Sequence, residues 1–220
     1  MLKDLPKIDL TPVEVAKPKP TSQRVSEIVD GVMRGRKSTR AFLPKPVALS
    51  EVRDILKVAA RAPSGTNIQP WQAYVADKEC IDDVYDAILE SGIRPERAEW
   101  KDYQYYPDKF VDPFLTRRRS LGKALYGLLG ISKRDIPAMR AQFNRNFNFF
   151  DAPVGIFITI DRQLAVGSWL DLGMFIQSVL LAAQGRGISS CPIAAFAPYQ
   201  EQVRSVIDIP DRQILVCGIA

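Results

Sequence analysis

A chain of 220 residues, 46% hydrophobic and 25% charged, is long enough to bury a sizeable core in one water-soluble globular domain. Its net charge of +5 suits anionic ligands or simply a basic protein, and the run Arg117-Arg118-Arg119 has no recognition motif around it, so no nucleic-acid partner is expected. The sequence contains no histidine, which excludes Ser-His-Asp and Cys-His catalysis and every histidine-ligated metal site, and no metal is expected.

The start, Met1-Leu2-Lys3-Asp4-Leu5-Pro6, lacks the apolar run of a secretory leader. No segment reaches ~18 continuous apolar residues, so no membrane association is expected. Cys80, Cys191 and Cys217 are odd in number and lack a metal-ligand spacing. Reduced thiols in the cytoplasm are the expectation.

Residues 1–21 hold Pro6, Pro12, Pro18 and Pro20 among scattered lysines and read as an extended arm, compatible with a loose tail or with wrapping a partner subunit. Val25, Ile28, Val29, Val32 and Met33 recur at helical spacing and predict an amphipathic helix over 22–34, ended by Gly35. Pro44 and Pro46 impose an extended link. Ser50 is the expected N-cap of a second helix, whose apolar face is Val52, Ile55, Leu56, Ala59 and Ala60 and which stops at Pro63.

A short strand is expected over 72–76, then a helix with Ile81, Val84, Tyr85, Ile88 and Leu89 on one face. Residues 92–150 show less periodicity and are rich in Trp, Tyr, Phe and Arg. Residues 153–160 are almost continuously apolar and β-branched, as in a strand buried on both faces. The segment 168–184 is apolar nearly all round, which places a helix in a core or an interface. A strand over 188–194, a helix over 198–207 and a last strand over 213–220 complete an α+β architecture.

Two segments carry chemistry. Arg36-Lys37-Ser38-Thr39-Arg40 puts three cations and two hydroxyls into five residues, a composition suited to a phosphate. Pro63-Ser64-Gly65-Thr66-Asn67-Ile68-Gln69-Pro70-Trp71 is a small-residue turn with two amides, able to donate to and accept from a flat heterocycle. Together they suggest a phosphorylated cofactor with a heteroaromatic ring. An enzyme without histidine can then do redox chemistry through that cofactor.

In this order and spacing the segments resemble the FMN-dependent nitroreductase family over residues 24–220. Supporting matches are Phe42, Pro46-Val47, Ala60-Arg61-Ala62, Phe149-Phe150-Asp151-Ala152-Pro153-Val154 and the apolar helix near Ser168. The aromatic-rich middle is most similar to the nitrobenzoate-reductase type of member. The resemblance implies a nitroreductase-like fold: a central mixed, mostly antiparallel sheet flanked by helices, with residues 22–220 as the FMN-binding domain and FMN at a homodimer interface.

It further implies that NADH or NADPH donates electrons to FMN by a ping-pong mechanism, with nitroaromatic or quinone-like acceptors. A dehalogenase or enone reductase on the same scaffold, or a non-reductase flavin-binding or flavin-degrading protein, are the alternatives. The chemistry belongs to flavin N5, so no side chain is assigned to catalysis.

Carried over residue by residue, Arg36, Ser38 and Arg40 bind phosphate and ribityl, with backbone help from Lys37 and Thr39. Pro63, Ser64 and Gly65 lie against the ring from the opposite subunit, and Asn67 and Gln69 orient it. Among Gln142, Asn144 and Asn146, Gln142 and Asn146 are favoured for the pyrimidine edge, and the backbone at Cys191-Pro192-Ile193 approaches the flavin. Trp71 is expected in the core. Trp100, Tyr103, Tyr105, Tyr106 and Phe110 suggest an aromatic wall for a small aromatic substrate, and Arg117–Arg119 an attraction for a carboxylate or a nicotinamide phosphate. The family's last strand continues into a tail that adds a cation to the phosphate site; here Ile214–Ile219 runs to Ala220, and that tail is expected to be missing.

Overall fold

Apolar residues spaced for helices and one doubly buried strand organise this chain around a small sheet. The computed structural model describes residues 23–95 and 98–220. The arm expected for residues 1–21 lies outside the described residues. In chain order the elements are α1 (Gln23–Gly35), α2 (Leu49–Ala59), β1 (Trp71–Ala76), α3 (Lys78–Glu90), α4 (Phe114–Leu128) and α5 (Ile136–Asn144). They continue with β2 (Gly155–Asp161), α6 (Val166–Gln184), β3 (Pro192–Ile193), α7 (Gln200–Arg204) and β4 (Gln213–Ile219).

The sheet has the order β1-β2-β4-β3, and all its pairings are antiparallel. One parallel bridge joins Ser38 to Ser190 beyond its β3 edge. β2 is buried from Gly155 to Ile160, and the period of two divides its side chains between two cores. Ile156, Ile158 and Ile160 pack with Val52 and Ile55 of α2 and with Leu172, Phe175 and Val179 of α6. Phe157 faces the other core, with Ile81, Val84 and Ile88 of α3, Phe149, Phe196 and Tyr199. α6 has the length and composition of a membrane span, yet this face of it is committed to the sheet and α2.

Two glycines permit the second core. A Cβ on Gly155 would stand 2.8 Å from the Phe149 ring, and one on Gly218 2.9 Å from both Phe149 and Phe196. Phe149, Phe150 and Asp151 have φ of 54°, 54° and 68°. Left-handed backbone costs about 1–2 kcal/mol per non-glycine residue. Complete burial of the two phenylalanines offsets this, at roughly 1.5–3 kcal/mol for each side chain.

A bulge in β4 shifts the register between Ile158↔Cys217 and Thr159↔Leu215. Val216 sits in that bulge, and its carbonyl accepts a 2.6 Å hydrogen bond from the Tyr103 hydroxyl. Buried Gln213 accepts from Thr159 at 2.5 Å and Tyr74 at 2.9 Å, so the polar group in this strand is satisfied.

Several boundaries differ from the sequence-based expectation. The α2 N-cap is Ala48, and Ser50 lies inside the first turn. The strand expected over 188–194 narrows to Pro192–Ile193, because Ser190 and Cys191 pair with Thr39 and Ala220. The helix expected over 198–207 is a 3-10 segment, Ala194–Tyr199, followed by α7, with Pro198 inside the tighter part. The irregular stretch contains α4 and α5.

Candidate functional site

Arg36 to Arg40 leave α1 in an extended run. Thr39 N–H donates to the Ser190 carbonyl at 3.1 Å, and Phe42 N–H donates to the Phe150 carbonyl at 3.2 Å. Successive side chains of an extended run point to opposite sides. Thr39 and Ala41 accordingly line a groove of about 700 Å³ with residues of α2 and α6, whereas Arg36, Ser38 and Arg40 do not.

Those three lie instead near Cys191, with Ser38 bridged to the adjacent Ser190. Burial pushes the Cys191 thiol above its ordinary value, while the Arg40 charge, a side-chain hydrogen bond with Ser38 and the Arg36 charge pull it back. The fold thus brings Arg36, Ser38 and Arg40 beside the segment that runs into Pro192, which is exposed, and Ile193, which is buried. Arg36, Lys37 and Arg40 have no ion-pair partner among the described residues, although nine carboxylates among them do. Cations held this way suit an external anion.

The second segment forms a 3-10 turn over Gly65–Asn67. Thr66, Asn67 and Gln69 have φ of 49°, 60° and 50°. Such strain gathers where surrounding contacts enforce it. Ser64 Oγ accepts from Gln69 N–H at 3.0 Å, and Asn67 Oδ1 accepts from Gln69 Nε2 at 2.8 Å. From outside the turn, the buried Asp171 carboxylate accepts from Gly65 N–H at 3.0 Å. Trp71 lies in the core as expected, stacked on Phe175 at 4.8 Å. Pro63, Gly65, Asn67 and Gln69 are exposed.

One chain does not bring these two segments together. Asp171, near the start of α6, holds the turn. At the far end of α6, Gln184 lies against Gly35, where a Cβ would stand 3.1 Å from its Nε2. From Asp171 to Gln184 the helix rises roughly 20 Å at ~1.5 Å per residue.

The amide-rich segment abuts the basic run through the Phe42–Phe150 hydrogen bond. Gln142 is half-buried on α5, and Asn146 Nδ2 donates to the Phe143 carbonyl at 2.6 Å. Sequence reasoning passed over Asn148. Its Nδ2 donates to Asp151 at 2.9 Å, which fixes the amide, and its Oδ1 is buried without a partner among the described residues. Thr39 Oγ1 is likewise buried without a partner. A native structure seldom leaves buried polar atoms unpaired unless a ligand or water meets them. Nothing in an Asn among three other amides marks it in the sequence.

The aromatic residues form a continuous wall. Trp100 contacts Tyr103, Tyr105 and Tyr106 at 5.5, 5.7 and 6.3 Å, and Tyr103 meets Trp169 of α6 at 4.9 Å. The Arg118 guanidinium lies 4.7 Å from the Phe110 ring centre and 5.6 Å from that of Tyr106, so the wall holds this cation. Burial raises the Tyr103 hydroxyl well above its ordinary value, so it serves as a donor at neutral pH.

Residues 33–220 match the family described as Nitroreductase family. The chain belongs to the nitroreductase family. It is 37% identical over 211 residues to a 4-nitrobenzoate reductase of Nocardioides sp. (strain LMS-CY), covering 95% of this chain and 85% of that protein. It is 36% identical over 201 residues to a chloronitrobenzene nitroreductase of Comamonas testosteroni, covering 89% and 86%. In three dimensions it is similar to the FMN and NADPH-dependent nitroreductase NfnB of Sphigopyxis sp. strain HMH, with a TM-score of 0.81, 37% identity and coverage of 87% and 86%. The nitroreductase fold is therefore that of an oxidoreductase family, and the α+β arrangement expected from sequence is the one observed.

Proposed function

We propose that this protein is an FMN-dependent nitroreductase that draws electrons from NADPH or NADH and delivers them to nitroaromatic or quinone-like acceptors. The observation that carries this reading is that Arg36 and Arg40, without an ion-pair partner among the described residues, converge with Ser38 beside Cys191. Relatives that reduce nitrobenzoates and chloronitrobenzenes, and a structural neighbour dependent on FMN and NADPH, support the same reading.

The residues present fit FMN. Arg36 and Arg40 would hold the phosphate with Ser38, while Lys37 and Thr39 contribute backbone. Asn148 Oδ1, together with Gln142 and Asn146, offers amide groups for the ring edge, and the backbone at Pro192 and Ile193 flanks it. Bound FMN would supply the hydride chemistry. The protein's own part is to bind, orient and exclude water. One site then serves donor and acceptor in turn, which gives ping-pong kinetics.

The turn with Pro63, Ser64, Gly65, Asn67 and Gln69 completes the site from a second copy. Its distance from the basic run along α6 leaves it unable to serve the same ligand in one chain. An antiparallel twofold pairing of α6 helices would place one copy's turn at the other's basic run. The α6 stripe of Val166, Leu170 and Met174 is 77%, 70% and 39% exposed, which supplies an apolar face for that pairing. Residues 22–220 act as one FMN-binding domain, and the protein works as a cytoplasmic homodimer.

Purified protein should be yellow and carry FMN in stoichiometric amount. Anaerobic NADPH or NADH should bleach it, and a nitrobenzoate or a quinone should restore the colour. Colourless protein that takes up no added FMN would overturn the assignment.

A further inference from the structure

The Ser64–Gln69 turn combines exposure with three left-handed, non-glycine residues. Its internal hydrogen bonds link Ser64, Asn67 and Gln69 to one another. They set the shape of the turn but do not anchor it to the body of the protein. Two contacts with α6 do so, one at each end of the segment.

At the first end, the Asp171 carboxylate accepts from Gly65 N–H at 3.0 Å across 106 residues of sequence. At the other, Phe175 stacks on Trp71 with centroids 4.8 Å apart and planes 5° from parallel. Asp171 and Phe175 are four residues apart in α6, hence on one helix face. Both are buried. Between them the chain turns back through Thr66, Asn67 and Gln69. The side chain at 171 is also a buried carboxylate in an otherwise uncharged helix, and such a residue is costly without a partner. The Gly65 amide is its only hydrogen-bond partner among the described residues.

We infer that Asp171 and Phe175 form a two-point clamp that fixes the ring-facing turn, with Asp171 as a positioning residue. The inference rests on the reading that this turn meets the flavin ring. Asp171 does not touch the cofactor; it acts through the Gly65 backbone. The same helix offers Val166, Leu170 and Met174 to solvent, so the face proposed to pair with a second copy and the face that aims the turn belong to one rigid rod.

The test compares Asp171→Ala, Asp171→Asn and Phe175→Leu. Amide exchange at Gly65 in the flavin-free protein reads the clamp directly, whatever the ligand proves to be. A hydrogen bond to a charged acceptor governs this amide, so Asp171→Ala should accelerate its exchange by about 10- to 100-fold. Asp171→Asn keeps an acceptor oxygen and should change it by less than about threefold, since a neutral acceptor is weaker but present. Phe175→Leu should disturb the near-ultraviolet signal of Trp71 with a smaller effect at Gly65.

In the holoprotein, Asp171→Ala should weaken FMN and riboflavin by the same factor, because the ring and not the phosphate is affected. Asp171→Asn should rescue both. Unchanged Gly65 exchange in Asp171→Ala would overturn the clamp even if wild-type protein binds FMN. Altered exchange with wild-type protein that binds no flavin would uphold the clamp and defeat the functional reading. If Asp171→Ala does not fold, Asp171→Asn and Phe175→Leu decide: equal losses of FMN and riboflavin in Phe175→Leu, with Asp171→Asn intact, uphold the clamp. No loss in Phe175→Leu overturns it.

Discussion

Arg36 and Arg40 stand out in both composition and geometry. Both guanidiniums influence the Cys191 thiol from an extended segment, and neither has an ion-pair partner among the described residues. A hydrogen bond to a charged group contributes roughly 1.5–3 kcal/mol. Arg36→Ala or Arg40→Ala should therefore weaken FMN by about 10- to 100-fold each, at ~1.4 kcal/mol per tenfold. Riboflavin, which lacks the phosphate, should change far less in the same titration, and an equal loss for both ligands would assign the arginines to folding instead. The basic cluster was legible because charge density in five residues is a local property. Asn148 was not, because its signal is the absence of a partner for one buried atom, which depends on the Asp151 carboxylate turning its amide. The left-handed run at Phe149–Asp151 was equally hidden: its cost is offset by rings packed against Gly155 and Gly218 from a distant part of the chain.

At the scale of elements, α6 joins the whole site. It packs on α2 and β2, anchors the turn through Asp171 and Phe175, meets the aromatic wall through Trp169, and ends beside Gly35. Its near-uniform apolar character already pointed to a core or an interface, and the structure buries one face of it while leaving Val166, Leu170 and Met174 exposed. Leu170→Glu places a charge on the exposed stripe, away from the buried face. It should convert the proposed dimer to monomer in sedimentation while leaving far-ultraviolet circular dichroism unchanged, and the monomer should lose FMN. A dimer that survives this substitution would place the interface elsewhere. α1, α2, α3 and α6 were legible from apolar periodicity. α4 and α5 were not, since neither buries a residue and nothing in their patterning marks a face. β3 was overextended because residues around Cys191 look the same whether they belong to a strand or pair singly, as Ser190 does with the extended run at Thr39.

The molecule as a whole should respond to alkali more sharply than its exposed charges suggest. Burial raises the Cys217 thiol to about 12 from an ordinary 9.0, and raises the Cys191 thiol as well, against the pull of Arg40 and Arg36. Tyr103 is raised above its ordinary 10.0 by burial, with its hydroxyl donating to the bulge at Val216. These groups are neutral when protonated, and the folded state binds their protons more tightly than the unfolded chain. Their contribution is fully present below pH ~9, where both states hold the protons. As pH rises past the unfolded thiol value, the unfolded chain loses protons that the native state keeps, and stability falls. Denaturant midpoints should be nearly level from neutrality to pH ~8.5 and should drop progressively above pH ~9, following thiols and then phenols. Cys217→Ala should flatten the first part of that decline at some loss of packing, whereas Tyr103→Phe should flatten only the part above pH ~10. A decline that both variants leave unaltered would show that Cys217 and Tyr103 do not set the alkaline sensitivity.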